Sequence, residues 1–476
     1  MLILFLVEFK IKARLSGLRS SEPALWLVGL FLLHVIWLIN TQNFEYAFKD
    51  LRIKLPLLVL AISLGVYPLK FQELKIVILS LGVGVWIAIL VGYFNYFTLD
   101  GADISPRIIV PDISHIRLGL MMITLLGLML WIYKNVSKGW KTIIIVTVVN
   151  VLIFLYILQA LTAFITLIIS VIIVLTSYFL TGVKGSKRIA SISVFSIIPV
   201  VLFFYLKGTY DDYFILSDDA IPKLPVTEAG NPFNHYSTDQ IENGNMVYSN
   251  ICELELAREW NKRSDSKIGY DPMINIPTID CLVRYLTSKG LTKDSVGVNS
   301  LNDEDIERIE SGFPAAIYAE SYGLPLRIHS FLHGAHMFFS SGEVQGSSFF
   351  QRVVYWNIGL SIAKDYWLFG TGTGDVKDVF LKAYEEYPID IDPRYRLRAH
   401  NQYITFFVTF GIVGLIYFFA GLGIVLHRSV KHPGFFFFFC VAALSFMTED
   451  TLETQAGVTF IAFFTSLFSA YRNGAN

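Results

Sequence analysis

The chain has 476 residues, of which 54% are hydrophobic and only 16% charged, and its mean hydropathy is +0.54. That apolar excess is more than a water-soluble fold can bury, so much of the surface must face a bilayer. A net charge of −1 argues against a nucleic-acid partner, and three cysteines (Cys252, Cys281, Cys440) make neither a disulfide framework nor a metal motif. Cys252 and Cys281 can pair if they lie outside the cytoplasm, or stand as small buried residues.

The opening run Met-Leu-Ile-Leu-Phe-Leu-Val is too short to span a bilayer and lacks a signal-peptide pattern, so it reads as a helix stub or a peripheral anchor. Apolar runs of spanning character follow near 24–40, 54–69, 74–97, 117–133, 142–158, 160–181, 189–206, 402–426, 434–448 and 455–471. The uncharged block 142–181 is split at Gln159, since one helix there would be about twice the needed length. The expectation is an all-α polytopic membrane protein with about 10 transmembrane helices. Basic clusters at Lys10–Arg19, Lys134–Lys141, Lys184–Arg188 and Arg428–Lys431 fall on one side of that threading, which is assigned to the cytoplasm. Lys49, Arg52 and Lys54 disagree, landing outside.

The non-cytoplasmic segments are then 41–53, 98–116, 207–401 and 449–454. The division expected is 1–206 for amino-terminal membrane helices, 207–401 for a large outer domain, and 402–476 for the closing helices. Within the outer domain, helical spacing predicts a helix over Thr238–Lys262, and Pro277 and Gly290 bracket another. Asn302 with Asp305 predicts a cap, and Gly312 a stop. Ser347 to Trp367 reads as an amphipathic helix along the membrane surface. Asn231, His235, Glu242 and Arg284 can read an acceptor or only hold the domain together. Gly370-Thr-Gly-Thr-Gly374 lacks the Lys-Ser/Thr of a nucleotide loop and reads as a turn rather than a phosphate cradle. The Phe435–Phe439 run reads as lipid-facing or core apolar surface.

Ionisable groups at a membrane boundary need partners or a wet cavity. The threading gathers such groups on one face: His115 and Arg117, then Gln351 and Arg352, then Arg394, Arg396, Arg398 and His400, then Glu449, Asp450 and Glu453. Guanidinium stays charged and grips phosphate oxygens in pairs, which suits a lipid-linked phosphate, and an imidazole can act as general base. Each also has a plain reading, as a headgroup anchor for a single arginine. The acidic turn reads as a solvated turn, a partner for the arginines, or a magnesium site.

Gln351-Arg-Val-Val-Tyr-Trp356, Leu368-Phe-Gly-Thr-Gly-Thr-Gly374, Arg398-Ala-His-Asn-Gln-Tyr403 and Gly411-Ile-Val-Gly-Leu415, in that order, resemble the O-antigen ligase and Wzy-type polymerase superfamily. Ser114-His-Ile-Arg117, Val283–Leu291 and Glu449–Gln455 are similar to one ligase-like branch, so the resemblance covers nearly the whole chain. Relatives often carry further spanning helices ahead of this starting point.

The resemblance implies a membrane-embedded, GT-C-like, metal-independent glycosyltransferase of the bacterial inner membrane, with no cofactor and its active face periplasmic. It would move a glycan from undecaprenyl diphosphate to a sugar hydroxyl of lipid A–core. By motif position, His400, Arg352 and Arg117 take the catalytic roles. Arg398, His115, Gln402 and Arg284 take substrate-binding ones, with Glu449, Asp450 and Glu453 in support. Same-fold alternatives are a polysaccharide polymerase and a protein O-oligosaccharyltransferase. A non-enzyme alternative is a transporter of lipid-linked glycan, although transporters place ionisable residues near the midplane, and here the midplane stretches carry almost none.

Overall fold

The computed structural model describes residues 11–98, 106–111, 113–182, 186–236, 240–268, 276–320, 324–342, 344, 347–386 and 393–474. The chain forms two compact units, one of Met1–Arg188 with Ser348–Asn476 and one of Ile189–Ser347.

Among the described residues, the regular structure of the first unit is all helical. Its helices are α1 (Ile11–Ser20), α2 (Glu22–Ile36), α3 (Phe44–Ser63), α4 (Phe71–Thr98), α5 (His115–Ile132), α6 (Lys138–Ile157) and α7 (Leu161–Gly182). The second unit then intervenes from Ile189, within α8 (Ser186–Phe214), and contains α9 (Glu253–Arg263), α10 (Ile276–Ser288), α11 (Ser295–Asn299), α12 (Asp303–Glu310) and α13 (Leu324–Ser341). The first unit resumes with α14 (Ser348–Asp365), α15 (Val376–Glu386), α16 (Gln402–Ser429), α17 (Pro433–Thr448) and α18 (Gln455–Gly474).

Six helical segments among the described residues are long and apolar enough to cross a membrane: Glu22–Asn40, Phe71–Thr98, His115–Asn135, Lys138–Ile157, Leu161–Tyr178 and Gln402–Ser429. Pro433–Thr448 and Gln455–Tyr471 are shorter apolar helices. The protein is an all-α, multi-pass membrane protein. Each apolar run read from the sequence falls on a helix, and the split at Gln159 is real: that residue has φ 49° between α6 and α7. The start of the chain, including the short apolar run and Lys10, lies outside the described residues, as does Lys184.

One segment differs. The run at 54–69 belongs to a helix that starts about ten residues earlier, at Phe44. Asn43 caps it by accepting from the Tyr46 N–H at 3.0 Å. Glu45, Lys49, Asp50, Arg52 and Lys54 lower the hydropathy of its first half, which hides the helix from an apolar scan. Lys54 is therefore no loop charge: it is fully buried, whereas Lys49 and Arg52 are exposed.

Close helix contact in this unit rests on small residues. A Cβ on Gly127 of α5 would lie 2.2 Å from the Phe437 ring, and one on Gly434 of α17 would lie 2.7 Å from Trp131. The pairing makes α5 and α17 antiparallel. Phe435, Phe436, Phe437 and Phe438 are buried, so the phenylalanine run is core.

The helix α16 is broken at Gly411, whose φ of 66° and ψ of −164° lie outside helical space. Residues 367–372 fill the gap. Thr371 N–H donates to Val408 O at 2.8 Å, Gly372 N–H to Thr409 O at 3.0 Å, and Ile412 N–H to Trp367 O at 2.8 Å. Backbone groups freed by the break thus find partners, as burial demands. The glycine motif is this turn, wedged into a helix.

In the second unit, Trp260, Tyr285, Leu286, Val298, Ile306 and Ile309 form the core. Asn302 and Asp305 make the expected capping box, and Gly290 and Gly312 take positive φ beyond their helices. The helix expected over Thr238–Lys262 is corrected: Ile241–Glu242 (β1) and Asn245–Met246 (β2) pair as a hairpin, and the helix begins at Glu253. Asn243 and Gly244 both adopt positive φ, the turn chemistry that Asn-Gly favours, so local turn preference overrode helical spacing. Thr238 itself lies outside the described residues. Cys252, Cys281 and Cys440 are free and buried. Asn231 donates to Glu255 at 2.7 Å, and His235 bridges Leu224 O and the Asn250 N–H, so both hold the unit together.

Candidate functional site

The turn from Glu449 to Thr454, between α17 and α18, gathers the charged groups of the first unit. A 3-10 turn at Thr451–Glu453 separates its carboxylates, so each meets a different partner.

Asp450 organises the start of α16. Its Oδ2 accepts the His400 N–H at 3.2 Å, and its Oδ1 accepts the Asn401 N–H at 3.1 Å and the Thr405 hydroxyl at 2.7 Å. Asn401 caps the helix, its Oδ1 accepting from Tyr403 and Ile404 N–H. These bonds hold His400 at φ 46°, a left-handed conformation that a residue with a Cβ adopts at a cost. The strained backbone throws the imidazole toward Glu449, with His400 Nδ1 3.8 Å from Glu449 Oε2 and the Tyr355 ring centroid 6.1 Å away.

Arg352, one turn into α14, uses all three guanidinium nitrogens. Nε donates to Thr448 O at 3.1 Å, Nη1 to Ser348 O at 3.1 Å, and Nη2 to Glu449 Oε1 at 2.7 Å. Glu449 therefore stands between a guanidinium and an imidazole. Burial pushes its pKa up, but the His400 and Arg352 side chains facing it outweigh that and hold it below the ordinary value. Burial pushes the Tyr355 phenol up to about 12, which leaves it a hydroxyl and no base.

Arg398 donates to Glu453 Oε2 at 3.2 Å. Gln402 closes the turn, donating to Glu453 Oε1 at 3.1 Å and accepting from the Leu452 N–H at 2.7 Å. Burial works against the Glu453 carboxylate, yet the charges of Lys54 and Arg398 hold its pKa far below the usual range. Arg398 is held the more firmly charged by Glu453 and Asp450 despite its own burial.

The structure thus brings together Arg352, Arg398, His400, Gln402, Glu449, Asp450 and Glu453 within one connected set of bonds. Arg117 reaches the same end by helix register. From the Gly127–Phe437 contact, about ten residues toward the start of α5 and about ten toward the end of α17 bring Arg117 level with Met447. Among the described residues Arg117 forms no hydrogen bond or ion pair. His115 begins the same helix.

Arg284 belongs to the other compact unit. There it donates through Nε to both Glu242 oxygens at 3.1 Å and meets His333 Nε2 at 2.9 Å, lining a pocket of about 540 Å³ with Tyr248, Asp280 and Tyr318.

Of the three readings of the acidic turn, the geometry is that of a partner for the arginines. Among the described residues no three His, Cys, Asp or Glu side chains are grouped as a metal site needs.

Sequence reasoning missed Lys54 and Asp50. The signal was present: a carboxylate and an amine at i and i+4 beside an apolar run, where unpaired charges are costly. The basic loops of the opposite end are also visible, since Lys134 follows α5 and Lys431 precedes α17, whose paired ends lie away from the Glu449 turn.

No curated protein matches the chain. The protein family described as O-antigen ligase matches residues 309–419. That segment carries Arg352, the glycine turn, Arg398, His400 and the break in α16, while Arg117 and the acidic turn lie outside it. The matched segment is less than half of the chain, and together with the helical membrane architecture it agrees with the resemblance of the motifs to the O-antigen ligase superfamily.

Proposed function

We propose that the protein is a glycan ligase, taking a glycan from undecaprenyl diphosphate and joining it to a sugar hydroxyl of lipid A–core at the periplasmic face of the bacterial inner membrane. The observation that carries the reading is the meeting at Glu449: one carboxylate bonds a guanidinium and lies 3.8 Å from an imidazole at the same end of the helical unit.

His400 takes the proton of the acceptor hydroxyl, and Glu449 stabilises the imidazolium that results. The acceptor oxygen attacks the anomeric carbon as the bond from that carbon to the phosphate oxygen breaks. Its electron pair leaves with undecaprenyl diphosphate, and the anomeric configuration inverts. Arg352, Arg398 and Arg117 take up the charge on the diphosphate. A single donor aimed at a developing oxyanion is worth roughly 3 kcal/mol, so the set can supply a large share of the barrier reduction. His115 and Gln402 flank the donor, with Asp450 and Glu453 holding the frame. No step calls for a metal.

The test is transfer by purified protein with a defined lipid-linked donor and core acceptor, with and without chelator. The expected result is chelator-resistant product that His400→Ala abolishes. Near-normal transfer by His400→Ala overturns the base assignment. Product built only on lipid-linked repeats makes the protein a polymerase, and vectorial glycan uptake without covalent product makes it a transporter.

A further inference from the structure

Beneath the acidic turn lies a second layer of charge. Lys54, fully buried on α3, donates to Leu452 O at 2.5 Å and to Glu453 Oε2 at 2.9 Å, and stands 3.1 Å from Asp50 Oδ1 one turn earlier. His34 of α2 meets the other side of Asp50, its Nε2 4.0 Å from Oδ2. Glu453 is therefore shared between Lys54 below and Arg398 above. Lys54 and Arg398 balance Asp50 and Glu453, and a buried set of this kind persists only when each charge is matched.

We propose that Lys54 is a positioning residue of the transfer site: it fixes the Leu452–Glu453 turn from within the helical unit, and through Glu453 it aims the Arg398 guanidinium. The inference rests on the proposed glycan transfer and names a residue which that reading did not use. Arg398 makes one hydrogen bond to Glu453, through Nη1, and its remaining donors are what a diphosphate can take. The direction of those donors depends on where Glu453 sits. Two bonds of Lys54, one to the carboxylate and one to the neighbouring carbonyl, fix it from below, while Gln402 holds the other carboxylate oxygen. Asp50 serves Lys54 in turn, and its bond to the amine leaves Lys54 no freedom to withdraw.

Charge balance dictates the test. Lys54→Met alone strands two buried carboxylates against one arginine and can simply fail to fold. Asp50→Asn with Lys54→Met removes one charge of each sign and preserves the balance. In the double variant the full chain, in detergent, should elute and melt close to the unaltered protein. Peptides covering residues 449–455 should exchange amide hydrogen faster, since the Leu452 carbonyl has lost its donor. The rate of transfer at saturating substrates should fall at least about tenfold while KM for the acceptor moves little, because Arg398 acts on the leaving group.

Lys54 also helps to keep Glu453 ionised. Glu453 is faced by Lys54 and Asp50 of α3, His34 of α2, Tyr46 at the start of α3, Arg398, and Asp450 of its own turn, and removal of Lys54 leaves one cation fewer to keep it ionised. An unchanged rate, or a turn that exchanges no faster, overturns the proposal. Absence of glycan transfer by the unaltered protein overturns the functional reading instead, and amide exchange at the turn still reports on the anchoring by Lys54.

Discussion

Arg352 and Glu449 meet at 2.7 Å across the ends of α14 and α17, and the same carboxylate faces the His400 ring at 3.8 Å. The consequence is that the guanidinium cannot be treated as an isolated cation. It is a three-pronged donor tied to two backbone carbonyls and one carboxylate.

An ammonium can keep the charge of Arg352 but not that geometry, since its donors radiate from one atom. Arg352→Lys should therefore lose roughly a hundredfold in transfer rate, near the cost of one misplaced oxyanion donor. The change should be visible in single-turnover assays with saturating donor. A lysine variant within about threefold of the natural rate would mean that Arg352 contributes charge alone.

Asp450 accepts three hydrogen bonds from two backbone N–H groups and one hydroxyl at the start of α16. Alanine there leaves buried donors unmet, at about 1–3 kcal/mol for each buried group, and releases His400 from its left-handed backbone. Asp450→Ala should lower both the melting temperature and the transfer rate, and Asp450→Asn, which keeps one acceptor oxygen, should lose less of each. Equal loss in the two variants would assign the effect to charge rather than to hydrogen bonding.

Much of this site was legible in the residues. Arginine, histidine and carboxylates of distant segments were expected at one membrane face, and the bonds linking Arg352, Arg398, His400 and the Glu449–Glu453 turn bring those groups together. Lys54 was read against the grain because hydropathy registers a charge as a boundary. Only burial shows that it is the inner half of an ion pair with Glu453. Likewise the Asn243-Gly244 turn was outweighed by apolar spacing on either side, although the turn residues carried the stronger local instruction. Spacing reports which face is apolar, and it is silent on which buried charges find each other.

The interlock of the glycine turn with α16 yields a stability prediction independent of function. Gly411 sits at φ 66° and ψ −164°, a region essentially reserved for glycine, and a Cβ there would lie 2.3 Å from the Leu368 carbonyl. Gly370 is the reciprocal case, with a Cβ 2.4 Å from the Thr409 carbonyl. Gly411→Ala and Gly370→Ala should each cost about 3 kcal/mol or more, through backbone strain added to overpacking. Because both press on the same turn, the double variant should lose less than the sum of the two. Thermal unfolding in detergent checks both points, and strict additivity would show that the two glycines serve separate contacts.

Acid stability of the second unit depends on Glu242. Burial works against the Glu242 carboxylate, but bonds from His333 and the charge of Arg284 bring its pKa down to about 2. The unfolded chain binds a proton at about the ordinary value of 4.5. Between those values the unfolded state holds more protons than the folded one, so stability falls as pH falls. The contribution of Glu242 is complete above pH 4.5 and is lost as pH drops toward 2. It amounts to about 3 kcal/mol at neutral pH. Glu242→Gln cannot ionise, so it should be less stable at pH 7 and should lose the part of the acid dependence that Glu242 supplies. Amide exchange in the segment 240–290, corrected for the intrinsic effect of pH, follows the unit in the full chain. Were the glutamine variant to keep the same acid dependence, the titrating group would have to be another carboxylate, with Glu255 next in line because hydrogen bonds from Asn231, Ser295 and Thr227 outweigh burial and also hold it near 2.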